Sequence, residues 1–154
     1  LRGETFVTKK IAKALTKKKL KKQKKLYLGN IYSKRDWGHA EDYVYAMWKI
    51  LNHKQADDFV IATNRKFTIK DFVKLVSNEL KLRLIWKGKN LKEKAYDENG
   101  NCIIEINKRY FRPLEVENLQ GDFSKARKLL RWKPRKNIKI LVKEMVDFEL
   151  KENG

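Results

Sequence analysis

At 154 residues, with 42% hydrophobic and 11% aromatic side chains, the chain is long enough for one domain with a sizeable core, which argues against a disordered protein. No apolar run approaches the ~20 residues that a transmembrane helix needs. The net charge of +19 suggests an anionic partner, but only nine of the 38 Lys and Arg residues are arginines, which speaks against a nucleic-acid-binding module.

Hydrophobic periodicity predicts an alternation of helices and strands in the first half of the chain. The expected elements are a helix at 5–22, a strand at 26–28, a loop at 31–38, a helix at 39–52 and a strand at 58–62. The second helix carries an apolar stripe, which consists of Ala40, Tyr43, Val44, Met47 and Leu51. We expect this stripe to face a packing partner.

The second half of the chain follows the same pattern. The expected elements are a helix at 68–80, a strand at 84–86, a turn at 97–100, a strand at 102–106, a helix from 122 or 124 to about 130, and a last helix after 137. Thr68 and Asp71 match a capping box, Pro134 stops the penultimate helix, and Asn137 caps the last one. The apolar stripe of the last helix consists of Ile138, Leu141, Val142, Met145 and Val146. The class is α/β or α+β.

The run of lysines at 17–25, called the lysine run below, is the densest cluster of charge. It is either a solvated helix end followed by a linker or a contact for an anionic partner. The lone Cys102 gives neither a disulfide nor a metal cluster, which suits a reducing cytosol. Residues 1–3 do not resemble a targeting peptide, and we expect the chain to begin within a longer protein.

The residues show no cofactor or metal motif of their own. The seven glycines never approach the spacing of a dinucleotide-binding loop or a P-loop. His39 and His53 lack ligand-spaced carboxylates, so we interpret them as surface or capping histidines and predict no metal site. Tyr45 and Lys49 fit a Tyr-x-x-x-Lys spacing, but no cofactor fold precedes them, and we interpret both as structural. No catalytic residue is predicted.

Six blocks of sequence stand out: RGETFVTKKI at 2–11, YLGN at 27–30, KRDWGHAEDYV at 34–44, DFVIAT at 58–63, RYFRPLEV at 109–116, and GD at 121–122 with LRWKP at 130–134. Together and in this order they resemble the GDP-mannose 4,6-dehydratases, which are extended short-chain dehydrogenase/reductases. The similarity runs from Arg2 to about residue 150.

The resemblance implies a two-domain enzyme, with an N-terminal Rossmann domain for NADP and a smaller C-terminal domain for the sugar nucleotide. The whole chain, residues 1–154, matches the C-terminal substrate-binding part, which is α+β, and we expect residues 39–62 to pack back on the Rossmann domain. The implied reaction oxidises GDP-mannose at C4, removes water across C5–C6 and returns the hydride to C6. The product, GDP-4-keto-6-deoxymannose, is a precursor of GDP-fucose. The family's catalytic residues lie upstream, so we expect this fragment to be inactive alone.

The resemblance also implies a substrate site, formed by Val7, Lys10, Arg35, Arg112 and Glu115. Arg35 and Arg112 match diphosphate-contacting arginines, which suits the bidentate way in which guanidinium groups bind phosphate. Glu115 matches a carboxylate that accepts hydrogen bonds from ribose hydroxyls. Val7 and Lys10 match positions at the guanine end of the pocket.

Arg2 matches an arginine that reaches an NADP phosphate in a neighbouring subunit of the family's tetramer. A homo-oligomer, either dimer or tetramer, is therefore implied, in the cytoplasm. Leu1 stands where the family usually has a further arginine. Lys9 and Asn64 stand where Arg and Gly are common, and residues 87–101 match poorly and are interpreted as a variable loop.

Each assignment has a plain alternative. Arg35 would pair with Asp36, Arg112 with Glu115 across one helical turn, and Lys10 would be one more solvated lysine. The aromatic residues Trp37, Tyr110 and Phe111 are interpreted as packing residues. Two other functions stay open, namely nucleic-acid binding through the lysine run and a different nucleotide-sugar epimerase or reductase that prefers a UDP- or dTDP-sugar.

Overall fold

The computed structural model describes residues 6–23, 25–111 and 116–154. The helices are α1 (Val7–Lys19), α2 (Ala40–Leu51), α3 (Ile69–Glu79), α4 (Ser124–Leu130) and α5 (Ile138–Asn153). The strands are β1 (Leu26–Leu28), β2 (Lys34–Arg35), β3 (Phe67–Thr68), β4 (Ile85–Lys87), β5 (Lys94–Tyr96) and β6 (Cys102–Ile106). No helix within these ranges has the length and apolar character to cross a bilayer.

A four-stranded sheet, in the order β1-β6-β5-β4, forms one layer of the fold. β1 runs parallel to β6, with Leu26 opposite Ile104, whereas β5 is antiparallel to both of its neighbours. The tight turn before β6 matches its prediction, because the amide of Gly100 donates to the carbonyl oxygen of Asp97 at 3.1 Å. β5 falls in the stretch that was interpreted as a variable loop. Its three residues are too few to show a strand alternation in the sequence.

Helices α1, α3 and α5 pack against one another and against this sheet. Their contacts bury the main core, whose fully enclosed side chains include Ile11, Leu15, Phe72, Val73, Ile104 and Val146. Burial of each such side chain contributes about 1.5–3 kcal/mol. The predicted caps are both present: the Thr68 and Asp71 side chains form a reciprocal capping box on α3, and Asn137 accepts two backbone hydrogen bonds at the start of α5.

Helix α2 exposes most of its apolar stripe to solvent within the described part of the chain. Val44 is 64% exposed, Met47 61% and Leu51 85%, whereas Ala46 on the opposite side is fully buried. Ala46 belongs to a small second core with Ala126, Leu130 and Trp132. The side of a helix that is buried depends on its tertiary neighbours, and Ala46 lies on the side that packs against the second core.

The predicted strand at 58–62 is wrong for the described parts of this chain, where the segment pairs with no other strand. Phe59 and Ile61 pack beside the second core, while Val60 is 56% exposed. A strand needs a neighbour for its backbone hydrogen bonds, and the described residues offer none at this position. The predicted loop at 31–38 instead contains β2, which pairs with β3.

Asn64 keeps the turn geometry for which the family commonly uses glycine. Its φ of 56° lies in the left-handed region, which asparagine tolerates better than most residues. The side-chain oxygen of Asn64 also accepts a hydrogen bond from the amide of Phe123 at 3.0 Å. The departure from glycine therefore leaves the turn intact.

Candidate functional site

Lys10 extends from α1 over the ring of Tyr110. Its Nζ atom lies 3.8 Å from the ring centroid, and burial lowers the pKa of this ammonium group. The lysine is half-buried, unlike a freely solvated surface lysine. Val7, one turn earlier on the same helix, is also half-buried and packs against the main core.

A shallow groove of about 250 Å³ opens beside Lys10, between α1 and β1. Its polar wall, which defines what we call the lysine groove, consists of Lys10, Lys13, Gln23, Lys25, Tyr27 and Tyr110. Lys25 forms a 2.8 Å ion pair with Glu105. The groove presents aromatic faces and ammonium groups together, a combination that suits a ligand with both rings and negative charge.

Arg35 is positioned by β2, which lies between β3 and residues 116–119. Its Nη1 atom donates hydrogen bonds to the carbonyl oxygens of Lys34, at 2.8 Å, and Val116, at 2.7 Å. The neighbouring Asp36 is engaged elsewhere, because its carboxylate accepts hydrogen bonds from the amide and hydroxyl of Thr63. The guanidinium group is thus held against the segment that follows residue 115.

Arg2, Arg112 and Glu115 lie outside the described residues. The two described polar site residues contact residues that flank 112–115 in the sequence. Lys10 contacts Tyr110, two residues before it, and Arg35 bonds to Val116, directly after it. Side chains from two distant parts of the sequence thus contact described residues on either side of 112–115.

The aromatic residues near this segment differ in their surroundings. Trp37 is buried, and its ring centroid lies 5.1 Å from that of Phe72, which confirms a packing role. Tyr110 is 46% exposed, and Phe111 is 38% exposed. The interpretation of Tyr110 as a packing residue misses its contact with Lys10, because sequence spacing carries no signal for it.

His39 is a capping histidine, as predicted. Its Nδ1 atom accepts a hydrogen bond from the Glu41 amide at 3.2 Å, and its Nε2 atom lies 2.7 Å from Glu144. Lys136 joins the same cluster, with its ammonium 2.9 Å from Glu41 and 2.8 Å from Glu144. Hydrogen bonds from Lys136 and then His39 lower the pKa of Glu144. The two acids and the imidazole lie close enough to hold an ion, and the Lys136 ammonium already pairs with both acids, which offsets one of their two charges.

Tyr45 and Lys49 behave as structural residues. Lys49 Nζ lies 5.3 Å from the Tyr45 ring centroid, and the Arg135 guanidinium lies 4.1 Å from the same ring. A cavity of about 620 Å³, which no sequence motif predicts, lies between α1, α5 and residues 37–43 and is lined mainly by apolar side chains such as Trp37 and Phe148. Neither Lys10 nor Arg35 lines this cavity.

Three members of the lysine run have partners within the chain. Lys18 lies 3.4 Å from Asp97, and Lys22 donates to the carbonyl oxygen of Asn153 near the end of α5. Lys25 is paired with Glu105, as described above. These contacts support the interpretation of the run as a helix end and linker.

Comparisons with known proteins point to one enzyme family. The family model for GDP-mannose 4,6 dehydratase matches residues 1–145. GDP-mannose 4,6 dehydratase 2 of Caenorhabditis elegans is 45% identical, over 97% of this chain and 39% of that protein. GDP-mannose 4,6 dehydratase of Dictyostelium discoideum is 43% identical, over 99% of this chain and 44% of that protein. The chain thus spans less than half the length of these curated relatives.

Solved structures share the fold at low sequence identity. The RMD structure from Pseudomonas aeruginosa, complexed with NADPH, gives a TM-score of 0.78 at 16% identity and covers 98% of this chain and 44% of that one. The structure of dTDP-glucose 4,6-dehydratase of Bacillus anthracis, in complex with NAD, gives a TM-score of 0.72 at 16% identity. It covers 99% of this chain and 41% of that one. The expected α/β fold is confirmed. Because the family model matches nearly the whole sequence, this chain belongs to the GDP-mannose 4,6-dehydratase family.

Proposed function

We propose that this chain supplies the GDP-sugar pocket of a GDP-mannose 4,6-dehydratase, a hydro-lyase that converts GDP-mannose to GDP-4-keto-6-deoxymannose in the cytoplasm. The observation that carries the proposal is the contact of Lys10 with Tyr110 and of Arg35 with Val116, two residues that flank 112–115 in the sequence. A diphosphate needs fixed cations, and both side chains are held by contacts rather than free in solvent.

In this proposal Arg35 and Arg112 bind the diphosphate, and Glu115 accepts hydrogen bonds from the ribose. Lys10 and the exposed part of Val7 line the guanine end. A half-buried ammonium attracts an anionic ligand more strongly than a solvated one, because less water screens its charge. Both the family sequence pattern and the half-buried charge of Lys10 support this pocket.

The chemistry itself is assigned to groups outside this chain. Bound NADP would supply the hydride acceptor and donor for the reaction. The Rossmann domain that would hold it and the catalytic residues belong to the upstream part of the family's sequence. Arg2 is assigned to an NADP phosphate in a neighbouring subunit of a homo-oligomer. The 154-residue chain is therefore expected to bind the nucleotide without turning it over.

We also propose that residues 39–62 pack against that NADP-binding domain. The α2 face formed by Val44, Met47, Trp48 and Leu51 is apolar and more than half exposed along its length. Contiguous apolar surface of this kind marks an interaction site in a protein that is otherwise well packed. Residues 58–62 pair with no described strand, so their backbone is available to a neighbouring sheet.

Nucleotide selectivity tests the proposal. Isothermal titration of the purified chain should detect GDP binding that is tighter than UDP or dTDP binding, and incubation with GDP-mannose and NADP should give no product. Preference for UDP or dTDP would instead indicate another nucleotide-sugar enzyme. RNA or DNA affinity that falls linearly with the logarithm of salt concentration, without GDP binding, would indicate a nucleic-acid module.

A further inference from the structure

Lys10 is an ammonium group of the lysine groove that no described carboxylate balances. Within the ranges that the structure describes, Lys10 has no carboxylate within salt-bridge distance, whereas Lys25 in the same groove pairs with Glu105 at 2.8 Å. Its close contact is instead the face of Tyr110, 3.8 Å from Nζ to the ring centroid. The negative face of an aromatic ring attracts a cation without cancelling its charge.

This contact offsets a cost of burial. Lys10 has lost part of its water shell, which disfavours the charged form. A neutral or apolar neighbour in place of the ring would leave the ammonium without compensation. The side chain would then lose its proton more easily or move out towards solvent.

The backbone of Tyr110 is itself tightly fixed. Tyr110 is the last residue of a short 3₁₀ turn, and its amide donates to the carbonyl oxygen of Asn107 at 3.1 Å. The Asn107 amide in turn donates to the carbonyl oxygen of Leu28 at the end of β1. A Cβ atom at Gly29 would come within 2.2 Å of the Tyr110 carbonyl oxygen, so only glycine allows this approach. The ring is thus attached to the rigid edge of the sheet, directly opposite α1.

We infer that Tyr110 is a positioning residue, whose ring holds the Lys10 ammonium in the lysine groove as an unneutralised cation for the guanosine diphosphate moiety. The inference rests on the proposed function for its ligand, but the pairing of ring and ammonium is independent of it. The hydroxyl group of Tyr110 has no part in this role. The aromatic face alone is required.

The test compares two substitutions of one residue in the full 154-residue chain. Tyr110→Leu keeps an apolar side chain but removes the ring face, whereas Tyr110→Phe keeps the face and removes the hydroxyl. GDP affinity is measured by isothermal titration, and the titration of Lys10 is followed by NMR after isotopic methylation, with Lys10→Arg used to assign its signal. Thermal melts confirm that each variant is folded.

We expect Tyr110→Leu to weaken GDP binding about fivefold or more and to change the titration of Lys10. Tyr110→Phe should leave both the GDP affinity and the titration of Lys10 at the values of the unmodified chain. In a Lys10→Ala background, Tyr110→Leu should have no further effect, because the two residues act as a pair.

The possible failures are distinct. If Lys10 titrates identically with Leu and Phe at position 110, the inference is overturned whether or not GDP binds. If the unmodified chain binds no GDP although the titration of Lys10 responds to Tyr110→Leu, the proposed function is wrong. The assignment of GDP as the ligand of Lys10 is then wrong as well. Equal losses of affinity with Phe and with Leu would show that the hydroxyl acts, which also overturns the inference.

Discussion

Arg35 donates a 2.7 Å hydrogen bond from Nη1 to the carbonyl oxygen of Val116, 81 residues further along the chain. The bond orients the guanidinium group at the point where the 112–115 segment ends. Backbone hydrogen bonds strengthen this connection. The Lys34 amide donates to the carbonyl oxygen of Glu117 at 2.7 Å, and the Leu119 amide donates to the carbonyl oxygen of Lys34 at 3.1 Å. Strand β2 thereby holds Arg35 against residues 116–119.

Replacing Arg35 with lysine should weaken GDP binding about tenfold or more, although the charge is kept. An ammonium group cannot bond Val116 and a phosphate in the fixed geometry of a guanidinium fork, and a lost charged hydrogen bond costs about 1.5–3 kcal/mol. Isothermal titration measures the effect. Arg83→Lys is the matched control, because the Arg83 side chain is 76% exposed and makes only a 3.8 Å surface contact with Glu98. Equal affinities for the Arg35 variant and the unmodified chain would remove Arg35 from the site.

Arg112→Ala should also weaken GDP binding at least tenfold, because it removes a cation assigned to the diphosphate. Arg127→Ala, an exposed change on α4, serves as the control and should bind normally. The melting temperatures of both variants should stay close to that of the unmodified chain. Unchanged affinity of the Arg112 variant would show that the diphosphate lies elsewhere.

The exposed face of α2 should bind a hydrophobic fluorescent dye in the isolated chain. The double variant Met47→Lys with Leu51→Lys should reduce the dye signal without lowering the melting temperature, because these side chains are 61% and 85% exposed and contribute little to the core. Leu129→Lys, a 45% exposed position on α4, controls for the added charge. A cooperative melt with no dye binding by the unmodified chain would contradict the proposed domain contact.

Glu93 should make stability depend on pH. The carboxylate is 3% exposed and accepts hydrogen bonds from the Lys70 ammonium and the Tyr32 hydroxyl. Burial alone would raise the pKa of Glu93, but these hydrogen bonds outweigh it and lower the pKa below the ordinary value. The stabilisation is therefore present above the pKa of an unfolded glutamate, about 4.3, and is lost as the pH falls through the lower folded value.

Glu93→Gln should accordingly lower the free energy of unfolding at pH 7 by about 1.5–3 kcal/mol. The difference from the unmodified chain should shrink as the pH falls below about 4, where the unmodified carboxyl group also becomes neutral. Urea melts at several pH values measure both quantities. Glu98→Gln, at a side chain that is 64% exposed, should change little at any pH. A pH-independent difference would show that the charge of Glu93 is not what stabilises the fold.

Local sequence signals determined much of the secondary structure. The capping box of Thr68 and Asp71, the cap at Asn137 and the apolar stripe of α5 each depend on residues within a few positions of one another. Such interactions form in the same way whatever surrounds them, so the sequence predicts them. The six family blocks likewise identified the family and the proposed site residues without any coordinates.

Only the tertiary structure decided which surfaces these elements present. The stripe of α2 was visible in the sequence, but its exposure depends on which neighbours the chain brings to it, and Ala46 on the opposite side is the residue that packs. Residues 58–62 have the composition of a strand but no described strand beside them. The contact of Lys10 with Tyr110 joins residues 100 positions apart. Spacing along a chain cannot encode such a meeting, because it arises only when α1 packs beside the end of the sheet.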